Sequence, residues 1–380
     1  MKFIEEAHLN NKKVIVRCDF NVPIENGVIL DDSKIVRSLK TIRYLLEKNC
    51  RVVLLSHLGR IKSEEDKKSN TLLPVKDRLE QLLDVPVTFV SDYSNLELSK
   101  DNNLFLIENT RYNDYPDKLE SSNDLELAKK YAKLGDVFIF DAFGTAHRRH
   151  ASTSGLANLL PTYIGYLVKE EIDNLDKVIN HKNPFTIIMG GAKVDDKLPI
   201  IKKLLPTCDN LLLGGGIANS FMKSLDMKIG NSLATSDETI LVDLKCLIEL
   251  HRDKIVLPVD VVVLNGNTVV EKAVDSISAD DIIYDIGSKT VNKYSSIIKS
   301  SETIFSNGTM GLYEDDRFKD GTKAIFKSMK NVPNVVIGGG DTVSAVNNLG
   351  YKDSFIVSSG GGASLEYLAN GSLPVLDDIR

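Results

Sequence analysis

The second half of this 380-residue chain repeats one local pattern, which constrains the fold more than any other feature. A short apolar run leads into glycines or serines and then into a segment of helical character, beginning at Phe185–Met189, Leu211–Leu213, Val335–Ile337 and Phe355–Val357. The pattern predicts a β-strand, a tight turn and a helix N-terminus. Glycine lets the backbone approach a ligand, and the first helical turn offers unpaired N–H groups and positive dipole charge to an anion. The second half therefore predicts a phosphate-binding surface.

The first half also alternates strands with helices, but polar and cationic residues follow its strands. The apolar runs there are Val14–Val16, Val52–Leu55, Leu104–Ile107 and Val137–Ile139. In a parallel sheet, ligands lie beyond the carboxyl ends of the strands. We therefore expect the cations at these ends to converge on one small anion: His57, Arg60, Arg111 and Arg148.

Length and composition are compatible with two such halves. A chain of 380 residues is too long for one ordinary hydrophobic core, so we expect two domains. Apolar residues make up 42% and charged residues 26%, which indicates neither a disordered nor a membrane protein. The net charge is −6 and the basic residues are scattered, which argues against a nucleic-acid surface. The expected partner is a small molecule.

The cysteines and the N-terminus bear on the compartment. The cysteines show no paired spacing: Cys18, Cys50, Cys208 and Cys246. Free thiols suggest a reducing compartment. The N-terminus has no apolar stretch behind its lysine, and no apolar run approaches the length of a bilayer span. We therefore expect a cytoplasmic protein without a membrane partner.

Residues 165–180 predict a helix between the two halves. Leu167, Ile172, Leu175 and Ile179 recur at near-helical spacing, with acidic residues early and Lys177 late. A rigid connector between two anion-binding faces suggests a hinge that closes one ligand onto the other.

Familiar motifs of other enzyme classes fail when tested. No segment fits the Gly-x-x-x-x-Gly-Lys-Ser/Thr loop, and Gly214–Asn219 lacks the last glycine of the dinucleotide fingerprint. His251-Arg252-Asp253 resembles a protein-kinase catalytic loop, but the required asparagine is replaced by Pro258. No His, Cys or acidic cluster has the spacing of a tightly held zinc.

Seven segments, taken together in order, are similar to the phosphoglycerate kinase family over nearly the full length. They are Arg17–Pro23, Ser56–Arg60, Asp141–Arg148, Gly190–Lys197, Leu257–Val262, Gly338–Val343 and Gly360–Glu366. The resemblance implies an α/β fold of two Rossmann-like domains with parallel sheets, joined by a connecting helix. The implied parts are an N-terminal 3-phosphoglycerate-binding domain at 1–164, the helix at 165–180, a nucleotide-binding domain at 181–365 and a tail at 366–380 that returns to the N-terminal domain.

The same resemblance implies reversible phosphoryl transfer between 1,3-bisphosphoglycerate and MgADP, giving 3-phosphoglycerate and MgATP, as in glycolysis and gluconeogenesis. The implied partners are these substrates, with Mg²⁺ as cofactor, and the family expectation is a monomer. Such a transfer needs no covalent intermediate, so the protein must supply aligned reactants, magnesium and cations.

By resemblance, one set of residues would hold 3-phosphoglycerate, with the arginines forked onto its phosphate and carboxylate: Asp19, Asn21, Lys34, His57, Arg60, Arg111 and Arg148. Lys193 and Lys197 lie four residues apart, which predicts one side of a helix, and the family places such lysines against the nucleotide phosphates and the transferred group. The catalytic set implied is Lys34, Lys193, Lys197, Gly339 and Gly361.

For the nucleotide, the resemblance implies Asp341 as the metal ligand, Glu314 on the ribose hydroxyls and Asn307 in the adenosine-contacting segment. The remaining nucleotide-binding residues would be Gly190, Gly191, Lys193, Lys197, Gly214, Gly215, Gly338, Gly339, Gly340 and Thr342. Gly360–Gly362 and Ser364 would supply another helix N-terminus near the transferred phosphoryl group.

Two departures from the family pattern bear on how well the protein works. Lys34 stands where the family has an arginine that reaches the transferring phosphoryl group, so charge is kept and the guanidinium fork is lost. This predicts a slower enzyme, and Arg37 is a candidate substitute from a shifted position. Where the family reads Trp-Asn-Gly-Pro, this chain reads Ser306–Thr309, which predicts altered nucleotide affinity or base preference.

Two alternatives to an active kinase stay open on the sequence. One is a family member that binds nucleotide or phosphoglycerate with little turnover and acts as a regulatory protein. The other is an oxidoreductase or another nucleotide-binding enzyme, argued from the α/β pattern alone. Binding of NAD in place of MgATP would be the sign of the latter.

Overall fold

The computed structural model describes residues 1–93 and 102–379. Its strands are β1 Lys13–Cys18, β2 Ile24–Glu25, β3 Val28–Ile29, β4 Arg51–Leu55, β5 Thr88–Val90, β6 Leu104–Ile107, β7 Val137–Asp141, β8 Thr162–Ile164, β9 Phe185–Met189, β10 Asn210–Leu213, β11 Ile255–Val256, β12 Asp260–Asn265, β13 Thr268–Ala273, β14 Asp281–Ile286, β15 Thr303–Asn307, β16 Asn334–Gly338 and β17 Ile356–Val357. Its α-helices are α1 Ser33–Glu47, α2 Glu64–Ser69, α3 Leu73–Leu83, α4 Leu125–Ala132, α5 Tyr166–Ile179, α6 Leu198–Leu204, α7 Gly215–Ser224, α8 Glu238–Leu250, α9 Ser288–Lys299, α10 Asp320–Met329, α11 Gly340–Asn348, α12 Gly362–Asn370 and α13 Pro374–Asp378.

The chain divides into two compact units. The first is Met1–Ile172 together with the C-terminal stretch from Ser372, and the second is Asp173–Gly371. The division therefore falls within α5. In the first unit, Val375 N–H donates to the Ala146 carbonyl oxygen at 3.1 Å, so α13 is hydrogen-bonded to the segment that follows β7.

The first unit is built on a parallel sheet of order β5-β6-β4-β1-β7-β8. The central strand β1 is buried along all but its first residue, and β4 and β7 flank it. Strands covered on both faces read as continuous apolar runs, which is why the sequence shows no alternation here. The carboxyl ends of these strands carry the polar and cationic residues singled out in the sequence.

The second unit has a parallel sheet of order β11-β10-β9-β15-β16-β17. When the six strands of this sheet are numbered in chain order, their spatial order is 3-2-1-4-5-6, as in doubly wound folds. The order reverses between β9 and β15. Helices follow most strands directly, with Gly214, Gly339 and Gly361 as the N-caps of α7, α11 and α12. The predicted α/β class with parallel sheets is thus confirmed.

A small antiparallel sheet of order β13-β12-β14 is added to the second unit. Val261, Val263 and Ile283 pack with Met222 of α7 in a small separate core. This sheet was not predicted, because its surface strand β13 is mostly exposed and has no apolar face. Its strand β14 carries Ile282, Ile283 and Tyr284, which line a cavity of this unit.

Side chains of the first unit cap the N-terminus of helix α5. The Asp141 carboxylate accepts from Leu167 N–H at 2.9 Å and from Val168 N–H at 3.3 Å, and Thr41 Oγ1 accepts from Tyr166 N–H at 3.0 Å. These acceptors satisfy amide donors that have no partner within the helix. Burial raises the pKa of Asp141 from 3.8 to about 6 despite those hydrogen bonds. The helix predicted over 165–180 is therefore present, and β7 supplies its cap.

Candidate functional site

In the second unit, the carboxyl ends of β9 and β15 come into very close backbone contact. Gly190 N–H donates to the Asn307 carbonyl oxygen at 3.0 Å, and Gly191 N–H donates to that of Thr309 at 2.9 Å. Gly308 has φ +96°, and a Cβ there would lie 2.0 Å from the Gly190 carbonyl oxygen. Both the backbone conformation and the neighbouring strand therefore exclude a side chain at this position. The junction is the switch point of the sheet, where open α/β folds bind ligands.

The ammonium of Lys197 lies at this junction. Its Nζ donates to the Gly190 carbonyl oxygen at 2.6 Å and to that of Asn307 at 3.3 Å. Burial lowers the pKa of Lys197 from 10.5 to about 8, although Asp341 and Asp196 oppose the shift. Its two hydrogen-bond partners are neutral, so an anion that reached Nζ would favour the charged form.

Lys193 and Lys197 do not share one side of a helix, so that prediction from their spacing is wrong. Helix α6 begins at Leu198, with Lys197 as its N-cap and Pro199 in its first turn. Proline has no N–H to donate within a helix and favours the first turn, which is why the helix starts so late. Lys193 is exposed in the loop before it. Of the two lysines, Lys197 is the one hydrogen-bonded to the strand ends.

A cavity of about 580 Å³ opens beside Lys197. Two helix N-termini line it, capped by Gly339 for α11 and by Gly361 for α12, and both glycines have positive φ, at +87° and +56°. The predicted residues on its wall are Lys197, Asn307, Gly339, Gly340, Asp341, Thr342 and Gly361. Two helix N-termini and one ammonium group make this cavity suited to bound phosphate groups.

Asn307 adds an unused hydrogen-bond donor to this cavity. Its side chain is buried, and among the described residues its Nδ2 atom has no hydrogen-bond partner. Nearby, Thr342 Oγ1 accepts from Gly308 N–H at 2.6 Å, which holds α11 against the end of β15. Leaving a buried donor unpaired is costly, and an acceptor on a ligand would offset that cost.

A second cavity of about 430 Å³ lies in the same unit, and Asp341 borders both. The predicted residues Gly191, Gly215 and Glu314 line it. The predicted site residues did not include the rest of its wall, apart from Asp341: Ala192, Gly216, Asn219, Asn231, Leu233, Ile282, Ile283, Tyr284, Thr309, Gly311 and Leu312. Mainly apolar walls with a few polar groups are typical of a pocket for a flat organic group.

Three predicted glycines lie beneath the cavities and are not among their lining residues. A Cβ on Gly190 would lie 2.0 Å from the Thr309 carbonyl oxygen, and one on Gly214 would lie 2.9 Å from Met310 Cα. Gly338 ends β16, where a Cβ would come within 3.2 Å of the Phe305 ring. These glycines let the strand ends pack closely.

The donors around Asp341 fit a magnesium ion that arrives with a nucleotide. Within residues 1–93 and 102–379, no group of three or more His, Cys, Asp or Glu side chains is placed to hold a metal alone. Magnesium commonly takes one or two carboxylates, with phosphate oxygens and water as its other ligands. Asp341 lies in the first turn of α11 and borders both cavities, so one carboxylate is available there.

In the first unit, a cavity of about 640 Å³ has a strongly cationic wall. The predicted residues Arg60, Arg111 and Arg148 all line it, together with Lys62, Lys118, Arg149 and His150. Burial lowers the pKa of Arg111, and the charges of Arg17 and Arg148 add to that shift. Because the positive charges repel one another, an anion that binds among them relieves this repulsion and is bound favourably.

His150 lines this cavity and was missed, although it lies only two residues beyond the segment Asp141–Arg148 that was singled out in the sequence. Burial and the charges of Arg17, Arg111 and Arg148 lower the pKa of His150 to about 3. It is therefore neutral at physiological pH and offers a hydrogen bond without adding to the positive charge.

The other predicted substrate residues lie next to the cavity and are not among its lining residues. Asn21 Oδ1 accepts from Gly59 N–H at 3.0 Å, while the Gly59 carbonyl oxygen accepts from Arg111 Nη1 at 2.5 Å. His57 and Asp19 are both largely buried, and the Asp19 carboxylate accepts from Asn21 N–H at 3.2 Å. The end of β1 and the end of β4 are thus tied together beside the arginines.

Lys34 and Arg37 form ion pairs with different carboxylates. Lys34 Nζ lies 3.0 Å from Asp19 Oδ2, and about a third of the lysine side chain is exposed. Arg37 Nη1 instead lies 2.7 Å from Oε1 of Glu171, whose side chain is fully buried. Removing Arg37 from that pair would leave a buried carboxylate uncompensated. This ion pair argues against the suggestion that Arg37 replaces the family arginine.

The altered segment Ser306–Thr309 has a structural role. Thr309 supplies the carbonyl oxygen that accepts from Gly191 N–H, and it lines the second cavity. Ser306 is buried, and among the described residues its hydroxyl oxygen has no hydrogen-bond partner. The small serine leaves a polar group where the family has a large aromatic ring, so the end of β15 differs from the family pattern.

The two units together define an α/β enzyme that handles phosphorylated small molecules, with helix N-termini in one unit and side-chain cations in the other. Comparison with known proteins gives the family. The phosphoglycerate kinase family model matches residues 4–371. The chain belongs to the phosphoglycerate kinase family and is a phosphotransferase.

Individual relatives agree over the whole length. The phosphoglycerate kinase of Enterococcus faecalis is 44% identical, with 100% of this chain and 99% of that protein covered. The solved structure of the phosphoglycerate kinase from Coxiella burnetii is 34% identical, with a TM-score of 0.90 and coverage of 99% of this chain and 98% of that one. That of Pyrococcus horikoshii is 30% identical, with a TM-score of 0.84 and coverage of 100% and 98%. In the described part of this chain, no helix has the length and apolar character needed to span a membrane.

Proposed function

We propose that this protein catalyses reversible phosphoryl transfer between 1,3-bisphosphoglycerate and MgADP, giving 3-phosphoglycerate and MgATP. Family membership over residues 4–371 carries the proposal. The geometry supports it, because one unit offers a cationic cavity for a phosphorylated acid and the other offers two adjoining cavities for a nucleotide.

The nucleotide would occupy both cavities of the second unit. Its phosphates would lie at the N-termini of α11 and α12 beside Lys197, and its nucleoside would lie between Leu233, Tyr284 and Leu312. Glu314 borders that pocket and would accept hydrogen bonds from the ribose hydroxyls. Asp341 would hold the magnesium ion, which supplies charge neutralisation at the phosphate oxygens when it is bound.

The phosphoglycerate would occupy the cationic cavity of the first unit. Arg60, Arg111 and Arg148 present planar guanidinium groups that suit phosphate and carboxylate. Asp19 and Asn21 hold the neighbouring strand ends, and Lys34 carries the charge that the family supplies with arginine.

The transfer would require little covalent chemistry from the protein. In a metaphosphate-like transition state, charge spreads over the transferring oxygens, and fixed donors stabilise it where it develops. Lys197 and the N–H groups after Gly339 and Gly361 would act on this charge in the second unit, and Lys34 would act from the first. Lys193, exposed in its loop, would reach the nucleotide phosphates only as a flexible cation. Direct transfer needs the two bound ligands to meet, so the proposal includes a closing motion during turnover.

Steady-state turnover of the purified protein with 3-phosphoglycerate and MgATP tests the proposal. The product is coupled to glyceraldehyde-3-phosphate dehydrogenase, and NADH consumption is followed. Turnover by the native chain that disappears in Lys197→Met would support the proposal. Absence of turnover in both the native chain and Lys34→Arg, although both bind MgATP and 3-phosphoglycerate, would overturn it in favour of a non-catalytic binding protein.

A further inference from the structure

Arg17 lies fully buried at the end of β1, next to the residues proposed to hold phosphoglycerate. Its Nε donates to Ser152 Oγ at 2.9 Å, its Nη1 donates to the Cys18 carbonyl oxygen, and its Nη2 lies 3.1 Å from His57 Nδ1. A guanidinium group has donors and no acceptor, so His57 Nδ1 must accept this hydrogen bond. The His57 proton is therefore on Nε2, at the other edge of the ring.

The Ser152 hydroxyl is oriented by a second partner. Its oxygen accepts from Arg17, so its proton goes to Oε1 of Glu120, while Ser152 N–H donates to Glu120 Oε2 at 3.2 Å. Both side chains are fully buried. Both oxygens of Glu120 accept hydrogen bonds from Ser152. Burial raises the pKa of Glu120, while the charge of Arg17 and these hydrogen bonds favour its carboxylate form. Glu120 balances the charge of Arg17, since a buried charge needs a paired partner.

Arg17 thus donates on two sides, to His57 Nδ1 and to Ser152 Oγ, and Ser152 donates onward to Glu120. The other charged groups that act on His57 are cations, namely Arg111 and Lys34, and His150 also faces it. A proton on Nδ1 would place two N–H donors against each other and add a charge among these cations. Consistent with this, burial and Arg17 hold the pKa of His57 well below its usual range.

We propose that Glu120 and Ser152 are positioning residues for the phosphoglycerate site, which fix His57 through Arg17 as a neutral imidazole with its proton on Nε2. That proton is then available to an oxygen of the bound acid without adding positive charge. The inference rests on the proposed function for its ligand. The state of His57 itself does not depend on any ligand and can be measured in the free protein.

The first test is the tautomeric state of His57, measured by long-range ¹H–¹⁵N NMR on the ligand-free, ¹⁵N-labelled chain. His57→Gln assigns the signal. The native protein should show an unprotonated Nδ1 and a protonated Nε2 from neutral pH down to the onset of unfolding. Ser152→Ala removes the acceptor of Arg17 Nε, so the His57 signals should move towards a mixture of tautomers or towards a protonated ring.

The second test measures binding of 3-phosphoglycerate by titration calorimetry, together with the KM values. Loss of a hydrogen bond to a charged group should raise the Kd and KM for 3-phosphoglycerate roughly tenfold to a hundredfold in Ser152→Ala. The KM for MgATP should stay unchanged, because the network lies in the first unit. Ser152→Thr, which keeps a hydroxyl, should recover most of the affinity.

Ser154→Ala is the matched control. Ser154 lies two residues away and is equally buried, and in the described part of the chain its hydroxyl has no hydrogen-bond partner. This variant should leave the His57 signals and the KM for 3-phosphoglycerate as in the native protein. Glu120→Gln removes the charge at the end of the network and should reproduce the effect of Ser152→Ala where it folds, which far-UV circular dichroism checks.

Unchanged His57 signals in a folded Ser152→Ala protein would overturn the proposal and leave the network a part of the hydrophobic core. A shift of those signals with unchanged binding of 3-phosphoglycerate would also overturn it, because His57 would then not serve this ligand. A native chain that lacks turnover but shows the expected His57 tautomer and binding would count against the proposed function alone.

Discussion

Lys197 provides a prediction in which the size of the effect follows from the structure. The pKa of its ammonium is lowered to about 8 by burial in the absence of ligand. The neutral carbonyl oxygens of Gly190 and Asn307 are its hydrogen-bond partners. Bound phosphates would bring negative charge to Nζ and favour the protonated form. Nucleotide binding should therefore take up a proton at mildly alkaline pH.

The magnitude follows from linkage between protonation and binding. If bound phosphates return the pKa to its ordinary value of 10.5, the rise of about two and a half pKa units corresponds to roughly 3 kcal/mol, or a factor of a few hundred in affinity. Deprotonation of the free protein removes the charge as pH rises above 8. The affinity should thus be constant below about pH 7.5 and should fall about tenfold for each unit between pH 8.5 and 10.

The assay is titration calorimetry with ADP in the absence of magnesium, so that proton linkage of the metal does not enter. Titrations at pH 8 in buffers with different ionisation enthalpies give the number of protons taken up, which should be about one half per ADP. Lys197→Arg keeps its charge over this range and should bind with an affinity that does not vary with pH. Lys193→Met is the comparison: its ammonium is exposed, so its loss should weaken binding by one factor at every pH.

Two results would refute the reasoning. A native affinity that stays constant from pH 7.5 to 9.5 would show that the ammonium does not titrate in this range. A decline that persists unchanged in Lys197→Arg would assign the pH dependence to another group.

Three further predictions concern rate, stability and backbone contact. Lys34→Arg should raise kcat at least about tenfold, since a guanidinium fork replaces a point charge, and an unchanged kcat in the coupled assay would show that this position does not limit the rate. For Asp141, whose folded pKa of about 6 exceeds the unfolded 3.8, the free energy of unfolding should fall by roughly 2 kcal/mol as pH rises from 4 to 6, and urea titrations of Asp141→Asn should lack that component. Gly308→Ala should abolish ADP binding because its Cβ would lie 2.0 Å from a carbonyl oxygen, whereas Gly350→Ala, also at positive φ but with no atom within 4 Å, should bind normally and lose only stability.

Part of the proposed nucleotide site could be predicted, because neighbouring residues in the sequence form it. A glycine that ends a strand and caps a helix shows in the sequence, and Gly214, Gly339 and Gly361 indeed cap α7, α11 and α12. The same pattern predicted a helix directly after β9, but the glycines at 190 and 191 lead into a loop and helix α6 begins only at Leu198. A tertiary hydrogen bond from Lys197 back to Gly190 stabilises that loop, and spacing alone does not reveal it.

The pocket proposed for the nucleoside could not be predicted, for a different reason. Leu233, Tyr284 and Leu312 come from three distant segments, and apolar residues carry no chemistry that would distinguish a pocket wall from a core. The buried network behind the cationic cavity was also missed. Glu120 lies in a polar stretch that the composition favours as a surface connection, yet it is fully buried because Arg17 and Ser152 compensate it.

The two units reach anion binding by opposite electrostatic routes. In the second unit the donors are mainly neutral N–H groups at helix ends, and the pKa of Lys197 is already lowered, so an empty site carries little repulsion. In the first unit, burial lowers the pKa of Arg111, Asp114 opposes that shift, and the charges of Arg17 and Arg148 add to it. Glu120 pairs with Arg17 and His57 is neutral, so both limit the excess of positive charge at this site without cancelling it. An anion that binds in the first unit therefore relieves the repulsion among these cations. The cationic side chains repel one another in the empty site, so hydrogen bonds such as those of Arg17 must hold them in position.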